Sequence, residues 1–406
     1  MTAHSSQTPR KPGQHFLQIP GPTPVPERVV RAMSAPMIDH RGPEFSALAL
    51  RVADSLKTIF KTDNPVIVYP GSGSGAWEAA FMNTLSPGDR VLTVETGQFA
   101  LLWQKMAERL GLETQVIETD WRSGVDANAV EAALNADTEK SIKAVCIVHN
   151  ETATGCRSWV EEIRAALDAT DHPALLMVDT ISSLGVMDYQ HDTWGVDVTI
   201  CGSQKGLMLP PGLSFTAISD KAIEASKTAT LPRTYFSWDD MMALNPQGFF
   251  PYTPATGLLY GLEEAIKMMH EEGLDAIFAR HELLASAVRA AVEGWGLEVL
   301  CKDPKYYSQA VTTVVMPKGH DGDRFRKIAL DTYNISFGTG LNRLAGKVFR
   351  IGHLGDTNQL TIMGALSGVE LALEAAAVPH EKNGLSAAIK VLAEGHRSSA
   401  VTSEAA

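Results

Sequence analysis

Two residues carry the sharpest chemical signal in this sequence. Lys205 stands in Cys201-Gly202-Ser203-Gln204-Lys205-Gly206, after the apolar run Val196–Ile200, and Asp179 closes the earlier apolar run Ala174–Val178. Short runs of this kind read as buried strands, so both side chains belong at strand ends. An amine there can form an imine with a cofactor aldehyde, and a carboxylate can hold a pyridine nitrogen protonated so that the ring withdraws electrons. The pair suits pyridoxal phosphate (PLP). The plain alternative is a surface lysine and a helix-capping aspartate.

A glycine-rich loop bears on that choice. Gly71-Ser72-Gly73-Ser74-Gly75 follows the strand-like Pro65–Tyr69 and opens the helical Ala76–Leu85. Bare backbone N–H groups at a helix start, with hydroxyls beside them, make an anion site. A dinucleotide fold competes for the same residues: Gly71, Gly73 and Ala76 satisfy G-x-G-x-x-A, and Glu95 stands where a ribose-binding acid belongs. Pro70 and the hydroxyls of Ser72 and Ser74 favour a terminal monophosphate instead. The dinucleotide reading also leaves Lys205 and Asp179 without a task.

Other residues extend the constellation. Phe99, in Thr96-Gly97-Gln98-Phe99 at the end of the next strand, offers a ring to lie against the pyridine. In His149-Asn150-Glu151-Thr152-Ala153-Thr154-Gly155 the hydroxyls are placed to reach a phenolic oxygen, and His149 reads equally as a ring contact or a core histidine. Arg350 stands inside the apolar strand Lys347–Ile351, where a charge is costly unless paired. Its planar guanidinium suits a substrate α-carboxylate; an internal salt bridge is the alternative. The loop Asp39-His40-Arg41-Gly42 offers a second carboxylate binder. The twelve histidines show no metal-ligand spacing and no GxSxG elbow occurs, so neither a metal site nor a serine hydrolase is expected.

The elements that must position these groups alternate. Apolar runs at Pro65–Tyr69, Arg90–Val94, Lys143–Val148, Ala174–Val178, Val196–Ile200 and Leu213–Ile218 are interleaved with helical stretches. That is the signature of an α/β fold with a mostly parallel central sheet. After Thr253-Pro254 the pattern changes to nearly continuous helix over 257–294, then to a smaller α+β unit. The expected division is a disordered N-terminal arm over 1–18, a large domain over 19–275, a small C-terminal domain over 276–380, and a tail over 381–406. A chain of 406 residues is ample for a buried core. Its net charge of −12 disfavours nucleic acid or anionic membrane as partner. Cys146, Cys156, Cys201 and Cys301 are far apart, with no CxxC, and read as reduced thiols. No apolar stretch approaches the ~18 residues of a membrane span, and the N-terminus lacks a signal peptide's apolar core. The expected setting is cytoplasmic.

With these residues in place, the sequence resembles the class V aminotransferases of fold type I, most nearly the serine–glyoxylate and alanine–glyoxylate branch. The resemblance runs from Pro20-Gly21-Pro22-Thr23 through Ala375. It rests on Gly71–Glu78, His149–Gly155, Val178–Gly185, Gly202–Gly206 with Pro210-Pro211-Gly212, Pro251-Tyr252-Thr253-Pro254, and Gly346–Gly355. It implies that Lys205 bears the PLP, that Asp179 pairs with the ring nitrogen, and that Ser72, Gly73, Ser74 and Gln204 hold the phosphate. Phe99, Thr152 and Ile181 complete the implied cofactor pocket, and Arg350 takes the substrate carboxylate.

The resemblance also implies a homodimer with shared active sites. In it Thr253 reaches the phosphate of the neighbouring subunit's cofactor, while His40 and Arg41 help to hold the substrate. Phe250 stands where some relatives carry a phosphate-binding tyrosine, so Tyr252 and Thr253 both remain candidates for the cross-subunit donor. The implied reaction moves an amino group from a small L-amino acid to glyoxylate, giving glycine; with L-serine the other product is hydroxypyruvate. Alanine or aspartate as donor is an alternative. So is a PLP lyase or cysteine desulfurase of the same fold, with Cys301 the nearest candidate nucleophile.

Overall fold

A computed structural model of the chain describes residues 12–404, with the side chains of the last helix described as far as Gly395. The six expected strands all form and share one seven-stranded sheet. Its spatial order is Val66–Gly71, Gly212–Ile218, Val198–Gly202, Leu175–Asp179, Ile142–Val148, Arg90–Glu95 and Glu113–Glu118. Every neighbouring pair is parallel except those of Gly212–Ile218, which runs antiparallel to both its neighbours. Glu113–Glu118, the strand the sequence hid, lies at the sheet's edge and is only partly buried, so it shows no apolar run.

Both faces of this sheet are covered. Val68, Leu92, Val145, Leu176 and Val178 join one apolar cluster, while Ile67, Val91, Ala144, Leu175 and Met177 join another. Side chains alternate across a strand, so burial on both faces is what turns each strand into a continuous apolar run. The parallel strands end together at Gly71, Glu95, Val148, Asp179 and Gly202. In open α/β sheets that carboxyl edge is where ligands bind.

A second sheet of five strands has the order Phe16–Gln18, Ile335–Thr339, Val348–Gly352, Val311–Val315 and Glu298–Val299. It is antiparallel apart from Phe16–Gln18, which pairs in parallel with Ile335–Thr339. Its core unites Trp295, Phe325, Phe337, Phe349 and Ile351 with helices Leu274–Gly294, Gly322–Tyr333 and Gln359–Ala375. The helical stretch expected over 257–294 breaks at Gly273, whose φ of 87° ends one helix and starts the next.

Two stretches differ from expectation. Part of the arm expected to be disordered is the strand Phe16–Gln18, tied into the second sheet; residues 1–11 of that arm lie outside the described residues. The tail after residue 380 forms the helix Gly384–Glu404. Leu385, Ala388, Val391 and Leu392 pack on the second core at helical spacing, a narrow stripe masked by surrounding alanines and serines. No helix among the described residues is long and apolar enough to cross a membrane.

Candidate active site

A cavity of about 240 Å³ opens at the carboxyl edge of the large sheet. Ser72, Gly73, Ser74, Phe99 and Thr152 line one part of it, and Asp179, Ile181, Gln204 and Lys205 another. The loop after Val198–Gly202 aims the lysine. Ser203 Oγ donates to Pro210 O at 2.8 Å and accepts from Leu213 N at 3.2 Å, closing the turn around it. Lys205 Nζ is buried, donating to Pro20 O at 2.9 Å and to Thr152 Oγ1 at 3.2 Å. Its aliphatic stem runs beside Gly21, where a Cβ would sit 2.8 Å from Lys205 Cγ. Burial, helped by the nearby charge of Arg350, lowers the ammonium pKa to about 8 against the pull of Asp179 and Glu151. A lysine so tuned yields the neutral, nucleophilic amine far more readily than an unshifted one.

Asp179 ends its strand with the carboxylate fully buried. Oδ1 accepts from Ile181 N at 2.7 Å and Oδ2 from Trp77 Nε1 at 3.0 Å. Burial raises its pKa to about 6, opposed by the Ile181 N–H, Lys205 and Trp77. A cation placed beside it would restore full ionisation. Trp77 was not singled out from the sequence; its one signal is its place a helical turn beyond Gly73.

At the helix start, Ser72 caps Gly73–Thr84 through its extended backbone and makes no side-chain capping bond, which leaves its hydroxyl to the cavity. A Cβ on Gly73 would fall 2.3 Å from Ile181 Cδ1, so a glycine keeps this wall open. Gln204 Oε1 and Asn150 Oδ1 are buried without a partner, and both residues line the cavity. Orphaned buried amides call for a polar ligand. An anion site, a buried carboxylate and a buried amine around one slot fit the chemistry of pyridoxal phosphate.

Arg350 comes from the other sheet. It is buried, donates from Nε to Thr339 O and from Nη1 to Thr152 O, both at 2.7 Å, and makes no salt bridge among the described residues. Burial lowers its pKa to about 10, with Glu151 opposing. The salt-bridge alternative therefore fails, and the charge stays available. Glu151, also missed from the sequence, is buried with its pKa pushed up to about 7 by desolvation, against three backbone N–H donors.

The remaining expectations divide. His149 is a buried histidine that does not line the cavity: its Nδ1 lies 2.9 Å from Ser183 Oγ and its ring packs against Tyr189 and Trp194. Within one chain, Thr253, His40 and Arg41 do not line this cavity. Thr253 and His40 line a separate open groove with Met33 and Met37, and Arg41 is exposed with Nη1 3.0 Å from His40 Nε2. Tyr252 stacks on Tyr235 at 4.1 Å and directs its hydroxyl to Met241 Sδ, whereas Thr253 is exposed. Cys301 is buried, with Sγ toward Asp303 O at 3.6 Å.

Both the sequence and the fold have known relatives. The family model for aminotransferase class-V matches residues 15–348. The chain is 51% identical over 361 residues to a serine–glyoxylate aminotransferase of Hyphomicrobium methylovorum, covering 88% of this chain and 89% of that one. It is 47% identical over 360 residues to an L-aspartate–glyoxylate aminotransferase of Paracoccus denitrificans, covering 88% and 90%. Among solved structures, ureidoglycine–glyoxylate aminotransferase from Bacillus subtilis superposes with a TM-score of 0.86 at 27% identity, covering 96% of this chain and 99% of that one.

Proposed function

The chain belongs to the class V aminotransferase family, and we propose that within it the protein moves the amino group of L-serine to glyoxylate, giving hydroxypyruvate and glycine. The observation that carries this reading is the buried Lys205 amine sharing one slot with Asp179 and a helix-start anion site. Ser72, Gly73, Ser74 and Gln204 would hold the phosphate of PLP, Asp179 its ring nitrogen, and Phe99, Thr152 and Ile181 the ring. Bound there, PLP supplies an aldehyde and an electron-withdrawing ring.

The chain's own residues do the rest. Lys205 Nζ, made easier to deprotonate by burial, takes the proton from the substrate α-carbon. Asp179 stays ionised beside the ring nitrogen, oriented by Ile181 N and Trp77 Nε1. Arg350, fixed by two carbonyls, binds the α-carboxylate of the donor and then that of glyoxylate.

The working unit in this reading is a cytoplasmic homodimer in which Thr253, His40 and Arg41 complete the partner's site. Support comes from Thr253 being exposed while the Tyr252 hydroxyl is engaged, and from Met37, 69% exposed in the same groove. Residues 19–275 form the cofactor domain and 276–380 a smaller one that brings Arg350. The relative named for L-aspartate keeps aspartate as the second donor to test. A desulfurase is disfavoured, because Cys301 is buried against Asp303.

The test is a donor–acceptor panel with purified protein, following glycine formation from glyoxylate. Serine should be the fastest donor among serine, alanine and aspartate. Absence of amino transfer to glyoxylate from every donor would overturn the reading.

A further inference from the structure

The Glu151 carboxylate is fully buried, and no cation bonds it among the described residues. Its three partners are backbone N–H groups. Oε2 accepts from Phe99 N and Ala100 N, each at 3.1 Å, and Oε1 from Ala153 N at 2.9 Å. The first two are donors of the opening turn of Gln98–Arg109, whose N-cap is Gly97 and has no side chain to offer. Glu151 supplies the missing cap from a distant part of the chain. Gly97 admits it: a Cβ there would lie 2.3 Å from Glu151 Cγ.

The same residue shapes the turn that follows it. Its carbonyl accepts from Thr154 N at 3.2 Å and Gly155 N at 2.9 Å, while Ala153 N is held by the side chain. That turn carries Thr152, whose hydroxyl receives Lys205 Nζ and whose carbonyl receives Arg350 Nη1. One carboxylate thus joins the helix start that bears Phe99 to the turn that touches both buried cations. Both cations also feel its charge.

We propose that Glu151 is a positioning residue: its carboxylate fixes Phe99 relative to Thr152, and through Thr152 fixes Lys205 and Arg350, setting the slot for the cofactor ring and the reach of both cations. This rests on the transaminase reading for what the slot holds. A glutamine cannot replace the carboxylate. It has one acceptor oxygen, and its NH₂ would face an N–H donor at Ala153 or at the helix start.

The experiment compares full-length wild type with Glu151→Gln, titrating PLP into cofactor-free protein and then measuring KM and kcat for serine and glyoxylate. A residue that only capped a helix would lower the melting temperature and leave ligand affinities alone. Positioning predicts PLP binding weaker by roughly tenfold, the scale of one buried donor left unsatisfied, with KM raised for both substrates. Unchanged PLP affinity and unchanged KM values in Glu151→Gln would overturn the proposal. Should that variant not fold, Gly97→Ala serves: it displaces the carboxylate while keeping its charge, and normal PLP affinity there is equally fatal. Wild type that binds PLP but makes no glycine would refute the reaction assigned above, and the affinity comparison would still decide the role of Glu151.

Discussion

The indole N–H of Trp77 donates to Asp179 Oδ2 at 3.0 Å, so a helix that begins at the glycine loop steadies the carboxylate at the end of a strand. This bond pulls the Asp179 pKa down against burial, which holds it at about 6. Trp77→Phe keeps the burial and removes the donor, so the carboxylate should take up a proton at higher pH than in wild type. PLP affinity, measured against pH in both proteins, should begin to weaken at higher pH in the variant. At neutral pH the loss should be up to roughly tenfold. Superimposable pH profiles would remove Trp77 from the site.

Lys205→Met should abolish multiple turnover and also change stability in a telling way. In the cofactor-free protein the lysine pKa falls from 10.5 to about 8 on folding, because of burial. Between those values the unfolded chain binds more protons than the folded one, so wild-type stability rises with pH there. Below pH 8 the buried charge costs up to about 3 kcal/mol. Urea unfolding of cofactor-free protein should find Lys205→Met the more stable at pH 7, with the gap closing toward pH 10. Equal stability at pH 7, or a gap independent of pH, would show that the amine is not strained.

Arg350→Ala should lose about 30-fold or more in kcat/KM for serine and for glyoxylate alike, the effect expected from removing a partner of a buried charge at ~2–5 kcal/mol. Arg350→Lys keeps charge without the planar fork and should recover only part of this. PLP should still bind, because Arg350 does not line the cofactor cavity. Normal half-reactions with both substrates in the alanine variant would leave the guanidinium a purely structural brace for Thr152 O and Thr339 O.

Sedimentation should find a dimer at assay concentrations, and Thr253→Ala should weaken PLP binding although Thr253 does not line its own chain's cavity. A fully active monomer would contradict the shared-site arrangement.

What the sequence disclosed, and what it hid, follows from where each signal is written. Strands buried on both faces are continuous apolar runs, and polar residues at their ends stand out at once, which is why Lys205 and Asp179 were legible. Glu113–Glu118 is an edge strand with mixed exposure, and Phe16–Gln18 has only three residues, so neither carries a run to notice. Trp77 and Glu151 were missed for another reason. Their meaning lies in partners across the fold, Asp179 for one and the Phe99 and Ala100 amides for the other, and no local spacing announces such pairs. The same holds for Thr253, His40 and Arg41, where a family pattern named the residues and one chain alone gives them no ligand to touch.

The short strand Phe16–Gln18 has a consequence for how the protein is made. It pairs with Ile335–Thr339, and the residues just beyond it reach the lysine: Pro20 O accepts from Lys205 Nζ, and Gly21 flanks the Lys205 stem. That partner is made long after the strand itself and after the whole large sheet, so Phe16–Gln18 must wait for it. Until then Lys205 lacks its carbonyl partner, although the large sheet around it is complete. The lysine pocket is therefore closed late in synthesis, when Ile335–Thr339 arrives to hold Phe16–Gln18 in place.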